Sequence, residues 1–222
     1  IAIVAFVLTL LIVQRPPDLA RYKWTFLFVG AGLLMLPLVP GIGSSVGGAK
    51  IWVSIGPVNF QPGEFAKIAL ALFFAAYLAD NRELISAGTR RFGFIRIPEL
   101  RYVLPITLAW AFAVAVMVAE KDLGSALLFF TLFTVMMWVA TERAIYLVLG
   151  LVIFSGAAYI AWRMFEVVQT RVDIWLDPWS QYEGKGYQPA QAMFAFANGG
   201  TAGTGLGLGN PSKIPAASTD YV

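Results

Sequence analysis

Apolar residues in this chain are grouped into long blocks that contain almost no charge. Hydrophobic residues make up 59% of the 222 residues, and charged residues only 13%. Backbone polar groups in lipid must pair within a helix or a closed barrel, and these blocks are too long and continuous for the alternating strands of a barrel. The pattern therefore predicts an all-α fold, a polytopic transmembrane helical bundle with segments at 1–13, 24–40, 65–79, 103–119, 123–140 and 144–162.

The cations between these segments orient the bundle. Loops 14–23, 80–102 and 141–143 carry nine Lys and Arg residues, whereas the short loops opposite carry Lys50 and Lys121. By the positive-inside rule the first set is cytoplasmic. Residues 1–162 then form the membrane bundle, and residues 163–222 form an extracytoplasmic loop with a short amphipathic helix. Because the chain begins inside an apolar run and stops just before where another could start, we expect an internal piece of a longer multi-pass protein.

The composition excludes several kinds of site. The chain has no Cys and no His, which removes thiol and imidazole catalysis, zinc sites of the usual ligand types and the common haem ligands. The glycine run at 199–210 lacks the Gly-Lys-Ser/Thr of a phosphate-binding loop, and no strand precedes it, so no nucleotide site is predicted. No nucleic-acid partner is predicted. Any metal must be held by oxygen atoms.

Two opposite charges begin the third apolar segment. Glu64 and Lys67 are three residues apart, so they share one face of the predicted helix. Two interpretations fit. Glu64 can simply occupy the positive end of a helix while Lys67 extends outward. Alternatively, both face a polar cavity, as ionisable groups inside membranes usually do.

The turn at residues 120–122, Glu-Lys-Asp, is very short for a connection between two membrane segments. It is either a solvated turn or the charged floor of a cavity that opens outward, and we favour the second. Together with the outer loop it gives a mixed set of cations and carboxylates. Such a set suits a substrate with an anionic head and a lipid tail, because cations bind phosphate oxygens and a carboxylate can take a proton from an attacking hydroxyl.

Several motifs along the chain resemble one family. Residues 48–52 are GAKIW and residues 61–67 are QPGEFAK, similar to the GAxxW…QPSExxK signature of the RodA/FtsW/SpoVE (SEDS) proteins. Residues 120–124 are EKDLG, where the general pattern has QPDLG, and this variant resembles the actinobacterial RodA proteins. Arg171, the GKGYQ of residues 184–188, the glycines of 203–207 and the segment 215–220 resemble the family's large outer loop in order and spacing.

The resemblance implies a peptidoglycan glycosyltransferase of the bacterial plasma membrane, with six of the family's ten helices in this chain. Such proteins polymerise lipid II, the undecaprenyl-pyrophosphate disaccharide-pentapeptide, in elongation or division. A class B penicillin-binding protein is the expected partner. A sugar 4-hydroxyl attacks the anomeric carbon of a lipid-linked donor and expels the pyrophosphate, with a carboxylate base and with cations or a divalent metal, Mg or Mn, on the pyrophosphate.

One position departs from the family pattern. The catalytic Asp of DPxGxGYQ corresponds to Gln181, and an amide cannot act as a base. Either a nearby carboxylate replaces it, with Glu183 preferred to Asp177, or the copy is an impaired scaffold for a partner synthase; a lipid II flippase is a further alternative. The resemblance implies Lys67 as the ion-pair partner of the base. The predicted substrate-binding residues are Lys50, Trp52, Glu64, Lys121, Asp122, Arg171, Lys185, Tyr187 and Gln188.

Overall fold

The computed structural model describes residues 16–46, 49–55, 58–87, 90–92, 95–97, 99–205 and 208. The predicted segment 1–13 and the motif at 215–220 lie outside these residues. The chain divides into two compact units with a boundary between Leu151 and Val152. Its helices are α1 (Pro16–Ala20), α2 (Lys23–Met35), α3 (Pro62–Ala87), α4 (Leu100–Ala119), α5 (Leu123–Thr141), α6 (Ile145–Met164), α7 (Glu166–Leu176) and α8 (Tyr187–Gly199).

Four of the described helices, α3 to α6, are long and apolar enough to cross a membrane. They contain the predicted segments at 65–79, 103–119 and 123–140, and nearly all of the one at 144–162. The shorter α2 continues into a 3-10 turn at Leu36–Leu38, where Pro37 interrupts the regular helix. The prediction of a multi-pass helical membrane protein is therefore confirmed.

Helix α3 is the central helix of the first unit. Half of the membrane-length apolar stretch of α3 is buried inside the structure, compared with 22% of that of α4 and 17% of that of α5. Its Phe73 and Phe74 are fully buried, and the ring of Phe74 lies 5.5 Å from that of Phe129 on α5. Aromatic pairs at this spacing add to the packing of large apolar surfaces. The core thus fixes the start of α3 beside the start of α5.

Small residues bring these helices close together. A Cβ atom at Gly30 of α2 would lie 2.8 Å from Leu70 Cγ of α3, and one at Gly150 of α6 would lie 2.4 Å from Thr134 Cγ2 of α5. Membrane helices commonly pack through such small residues, because lipid tails compete equally for large apolar side chains. The absence of a side chain at Gly30 therefore allows α2 to pack closely against α3.

A small antiparallel sheet, in the order β1-β2-β3, connects α2 to α3. Its strands are β1 (Gly43–Val46), β2 (Ala49–Ile55) and β3 (Val58–Phe60). The side chain of Val53 is fully buried, and the backbone N–H of Lys50 donates to the backbone carbonyl of Glu120 at 3.0 Å. No strands were predicted from the sequence in this segment. A second, two-stranded hairpin, β4 (Arg90–Phe92) and β5 (Ile95–Ile97), lies in the predicted loop 80–102.

The second unit contains the end of α6, then α7, a turn and α8. Helix α7 follows α6 after one residue, although its sequence mixes charges with apolar residues and no helix was predicted there. Helix α8 begins at Tyr187, and Pro189 lies in its first turn, where its missing N–H is tolerated. Its buried residues are Ala190 and Ala192, while the ring of Phe194 packs 5.6 Å from that of Trp179.

Candidate functional site

Glu64 and Lys67 form an ion pair at the start of α3. Pro62 begins the helix, so Glu64 falls in its first turn, where the helix dipole favours a carboxylate. Lys67 Nζ lies 2.8 Å from Glu64 Oε1 and 3.5 Å from Ser125 Oγ of α5. The Lys67 side chain is 16% exposed and that of Glu64 is 59% exposed. The predicted shared face is confirmed, and the Lys67 ammonium is directed toward α5.

A narrow cleft opens between the start of α3, strand β2 and the turn that joins α4 to α5. The space in it that a water-sized group can occupy is only about 10 Å³. The cleft therefore has room for about one water molecule or one ligand oxygen. Polar groups from two separate segments line it, namely Gln61, Glu64 and Lys67 from one and Glu120, Asp122 and Ser125 from the other.

The turn between α4 and α5 supplies two carboxyl groups to this cleft. Asp122 caps α5, because its Oδ1 accepts a hydrogen bond from the Ser125 N–H at 3.0 Å. Glu120 is only 4% exposed, and its Oε1 has no hydrogen-bond partner within the described residues. Burial, and secondarily the charge of Asp122, raise the pKa of Glu120 to about 7. Lys121 is exposed with a left-handed φ of 63° and lies outside the cleft lining.

Glu120→Gln is expected to raise the thermal midpoint of the full-length protein in detergent, with a larger gain at about pH 8 than at about pH 5. The Glu120 carboxyl has a pKa of about 7 in the fold against an ordinary value of 4.5. Between these values the folded state holds a proton that the unfolded state releases, so stability falls as the pH rises and stays low above about 7. Exposed Glu99→Gln is the control. An equal gain at both pH values would contradict a raised pKa of Glu120.

Lys50 and Trp52 lie on β2, beside the cleft. The Lys50 ammonium donates to the backbone carbonyl of Leu38 at 3.4 Å, and the backbone carbonyl of Trp52 accepts a hydrogen bond from Ser44 Oγ at 3.5 Å. Ile51, between them, contributes to the cleft lining. The structure therefore places these two predicted binding residues on the supporting strand rather than in the lining.

In the second unit, Arg171 and Lys185 line a groove of about 250 Å³ with Glu166, Val167 and Thr170. Lys185 Nζ lies 3.4 Å from Thr170 Oγ1, which holds the turn against α7. Two cations and a hydroxyl are groups that bind phosphate oxygens. The structure thus brings together two of the predicted binding residues that are far apart in sequence.

The turn at residues 177–186 fixes the remaining predicted site residues. Asp177 Oδ1 accepts hydrogen bonds from the N–H groups of Trp179 and Ser180, at 3.1 and 3.3 Å, so this carboxylate stabilises the turn. The backbone carbonyl of Gln181 accepts from two glycine N–H groups at 2.9 and 3.0 Å. Glu183 is exposed, and no hydrogen bond within the described part of the chain engages its carboxylate. Tyr187 and Gln188 begin α8.

Three cleft residues were missed as site residues by sequence analysis: Gln61, Glu120 and Ser125. The signal for Glu120 was a carboxylate in a tight turn between two apolar blocks. Gln61 is the first residue of the QPGEFAK motif, and Ser125 directly follows the EKDLG motif. Among the described residues, no group of three or more Asp or Glu side chains is arranged to hold a metal ion. The described carboxylates therefore do not form a cation site by themselves.

The fold and the cleft define a class of protein: a multi-pass helical membrane protein with a polar cleft at the end of its central helix. The chain belongs to the FtsW/RodA/SpoVE family, described as cell cycle proteins, whose family model matches residues 1–222.

Relatives with known names support this membership. The chain is 40% identical to the peptidoglycan glycosyltransferase RodA of Mycobacterium tuberculosis (strain ATCC 25618 / H37Rv), over all of the chain and 48% of that protein. It is 33% identical to the probable peptidoglycan glycosyltransferase FtsW of Geobacter sp. (strain M18), over 90% of the chain and 53% of that protein. A solved chain of a peptidoglycan synthase complex superposes with a TM-score of 0.61 at 27% identity, over 89% of this chain and 56% of that one. The chain spans about half the length of the curated relatives it matches.

Proposed function

We propose that the full-length protein is a peptidoglycan glycosyltransferase that polymerises lipid II. The observation that carries the proposal is the convergence of three motifs on one cleft. Ile51 of GAKIW, three polar residues of QPGEFAK (Gln61, Glu64 and Lys67), and Glu120 and Asp122 of EKDLG line the same small space, although the third motif is distant in sequence from the other two. The names of the relatives with 40% and 33% identity supply the reaction class.

The proposed reaction is the transfer of a glycosyl group from a lipid-linked donor to an acceptor sugar. The 4-hydroxyl oxygen of an acceptor sugar bonds to the anomeric carbon of the donor, the bond from that carbon to the pyrophosphate oxygen breaks, and a carboxylate takes the hydroxyl proton. Glu183 is the proposed base, because Asp177 already accepts two backbone hydrogen bonds and Gln181 cannot take the proton. Lys67, in the first unit, is proposed to act as the preorganised cation of its own cleft, opposite the carboxylates of Glu64 and Asp122.

Binding roles are proposed separately for the cleft of the first unit and for the groove of the second unit. Arg171 and Lys185 in the groove of the second unit are proposed to hold pyrophosphate oxygens. Glu64 and Asp122 are proposed to bind substrate in the cleft of the first unit. Binding by Lys50, Trp52, Lys121, Tyr187 and Gln188, and the use of a Mg or Mn ion, stay predictions.

The partner is proposed to be a class B penicillin-binding protein. The similarity to a solved chain of a peptidoglycan synthase complex supports an assembly of this kind. Such a partner would crosslink the glycan that this protein polymerises. Co-purification of the two full-length proteins from membranes tests the assembly separately from the chemistry.

Glu183→Gln is expected to lower the initial rate of polymer formation from labelled lipid II about 100-fold, the low end of the usual contribution of a general base. The full-length protein is assayed together with its penicillin-binding partner, and the polymer is resolved on gels. The matched variant Asp177→Asn should keep the backbone hydrogen bonds of the turn and lose far less activity. Wild-type rates in Glu183→Gln would remove Glu183 from the mechanism.

A non-catalytic scaffold is the second candidate, favoured by one observation. Gln181 occupies the position at which the family pattern has its catalytic Asp, and its backbone carbonyl accepts hydrogen bonds from the N–H groups of Gly184 and Gly186. A wild-type protein that binds its partner and lipid II but yields no polymer would support the scaffold. Polymer formation that depends on Glu183 would exclude it.

A further inference from the structure

Glu120 is a buried carboxyl group that the proposed chemistry does not use. It ends α4, is 4% exposed, and lines the cleft together with Lys67 and Asp122. Its Oε1 is fully buried without a hydrogen bond inside the described residues. Buried polar atoms are rarely left unpaired in native proteins, and an exception calls for an explanation such as a bound ligand or water. Because Glu120 is one of the residues that line the cleft, a ligand in the cleft is a candidate partner for this atom.

The charged groups around Glu120 do not stabilise a second negative charge. On the same turn, Asp122 is a neighbouring carboxylate and Lys121 is exposed, outside the cleft. On α3, Lys67 is paired with Glu64 at 2.8 Å. On β2, Lys50 reaches Glu120 through its backbone N–H, while its ammonium contacts the Leu38 carbonyl. Within the described residues no ion pair engages Glu120, so the arrangement favours its protonated form.

The cleft is suited to an uncharged ligand group. Glu64 and Asp122 as carboxylates against Lys67 as an ammonium leave a net negative charge, which disfavours a phosphate there. The space of about 10 Å³ that a water-sized group can occupy admits a single ligand oxygen. Carboxylates, an amide and a hydroxyl around one small space provide both donors and acceptors for sugar hydroxyls.

We propose that Glu120 is a ligand-binding residue which, as a neutral acid, donates a hydrogen bond from its carboxyl group to one oxygen of a sugar in the cleft. This inference rests on the proposed function, because lipid II supplies that sugar. It assigns the sugar to the cleft of the first unit and gives the unpaired carboxyl group its partner. The Gln of the general family pattern QPDLG, at the position of Glu120, is likewise an uncharged hydrogen-bond donor.

The test measures lipid II binding and polymer formation by the full-length protein in nanodiscs from about pH 5.5 to 8.5, for wild type, Glu120→Gln and Glu120→Leu. Wild-type affinity should fall roughly tenfold or more between about pH 6 and 8.5, because a group with a pKa near 7 loses most of its neutral form over that range. Glu120→Gln should bind with little dependence on pH, since an amide donates at every pH. Glu120→Leu should bind roughly tenfold more weakly than wild type at about pH 6, although its thermal midpoint does not fall.

The outcomes separate this inference from the proposed function. If wild type polymerises lipid II but Glu120→Leu binds it as tightly as wild type at low pH, the role of Glu120 is overturned and the glycosyltransferase stands. The same follows if Glu120→Gln keeps the wild-type pH profile, because the titration then belongs to the substrate or to another residue. If wild type neither binds nor polymerises lipid II with its partner present, both proposals fall. Exposed Glu99→Gln is the matched carboxylate control.

Discussion

Lys67→Met is expected to lower lipid II polymerisation by the full-length protein roughly 1,000-fold, the upper end for removing one preorganised electrostatic group. Lys67 is the cation of the cleft lining, with its ammonium 2.8 Å from Glu64 and 3.5 Å from the Ser125 hydroxyl. Methionine fills a similar volume but leaves the carboxylates of Glu64 and Asp122 without an opposing charge. The measurement is the initial rate of polymer formation from labelled lipid II.

Two variants control for simple loss of the ion pair. Glu64→Gln also breaks the pair, but Glu64 is 59% exposed and its removal leaves the ammonium in place, so the loss of rate should be much smaller. Lys67→Arg keeps the charge but brings a larger planar group into a narrow cleft, and its rate should lie between those of wild type and Lys67→Met. If Glu64→Gln were as inactive as Lys67→Met, with its thermal midpoint lowered as well, the pair would matter for folding rather than for chemistry. Thermal midpoints of all three variants decide that point.

The membrane helices could be predicted from the sequence because a bilayer leaves the backbone few choices. A long uncharged run must satisfy its own hydrogen bonds, so α3 to α6 follow from hydropathy alone. The Glu64–Lys67 pair was equally accessible, since a spacing of three places both side chains on one helical face. The family was identified from the resemblance of the motifs, because patterns of hydropathy and charge alone do not identify a family.

The sheet and the role of the α4–α5 turn could not be predicted in the same way. Strands of three to seven residues, such as β2 and β3, carry little periodic signal within a segment rich in glycine. The burial of Glu120 depends on a tertiary contact, the hydrogen bond from the Lys50 N–H of β2 to its carbonyl. The sequence shows three adjacent charged residues at 120–122, but only the structure shows that Glu120 is buried and Lys121 is exposed.

The turn at residues 177–186 shows how the structure bears on the choice between two nearby carboxylates. The sequence already favours Glu183, which directly precedes Gly184 of the glycine motif, over the more distant Asp177. In the structure Asp177 accepts two backbone hydrogen bonds, whereas Glu183 extends from the turn exposed. The Asp177 Oδ1 atom is therefore engaged in the turn itself. This local geometry supports the preference for Glu183 that the sequence indicates.

Gly186→Ala is expected to disrupt the turn that carries these residues and to remove most activity. A Cβ atom at position 186 would lie 2.6 Å from the carbonyl oxygen of Pro178 and 2.9 Å from that of Gln181. Both are backbone atoms, and Gly186 itself is buried and donates its N–H to the Gln181 carbonyl at 3.0 Å. Relief of the overlap requires the turn to open, at a cost of about 1–3 kcal/mol or more by comparison with overpacked cores.

Gly184→Ala is the matched control for this prediction, because it makes the same chemical change two residues earlier. The nearest atom to a Cβ at position 184 is the Gln181 carbonyl oxygen at 3.7 Å, an ordinary van der Waals contact. The two full-length variants should therefore differ sharply: Gly184→Ala close to wild type in thermal midpoint and polymer yield, and Gly186→Ala several degrees lower with little polymer. Limited proteolysis between residues 177 and 187 should increase only in Gly186→Ala. Equal behaviour of the two variants would show that the turn tolerates a side chain at position 186, and the tight glycine geometry would then have no part in placing Glu183.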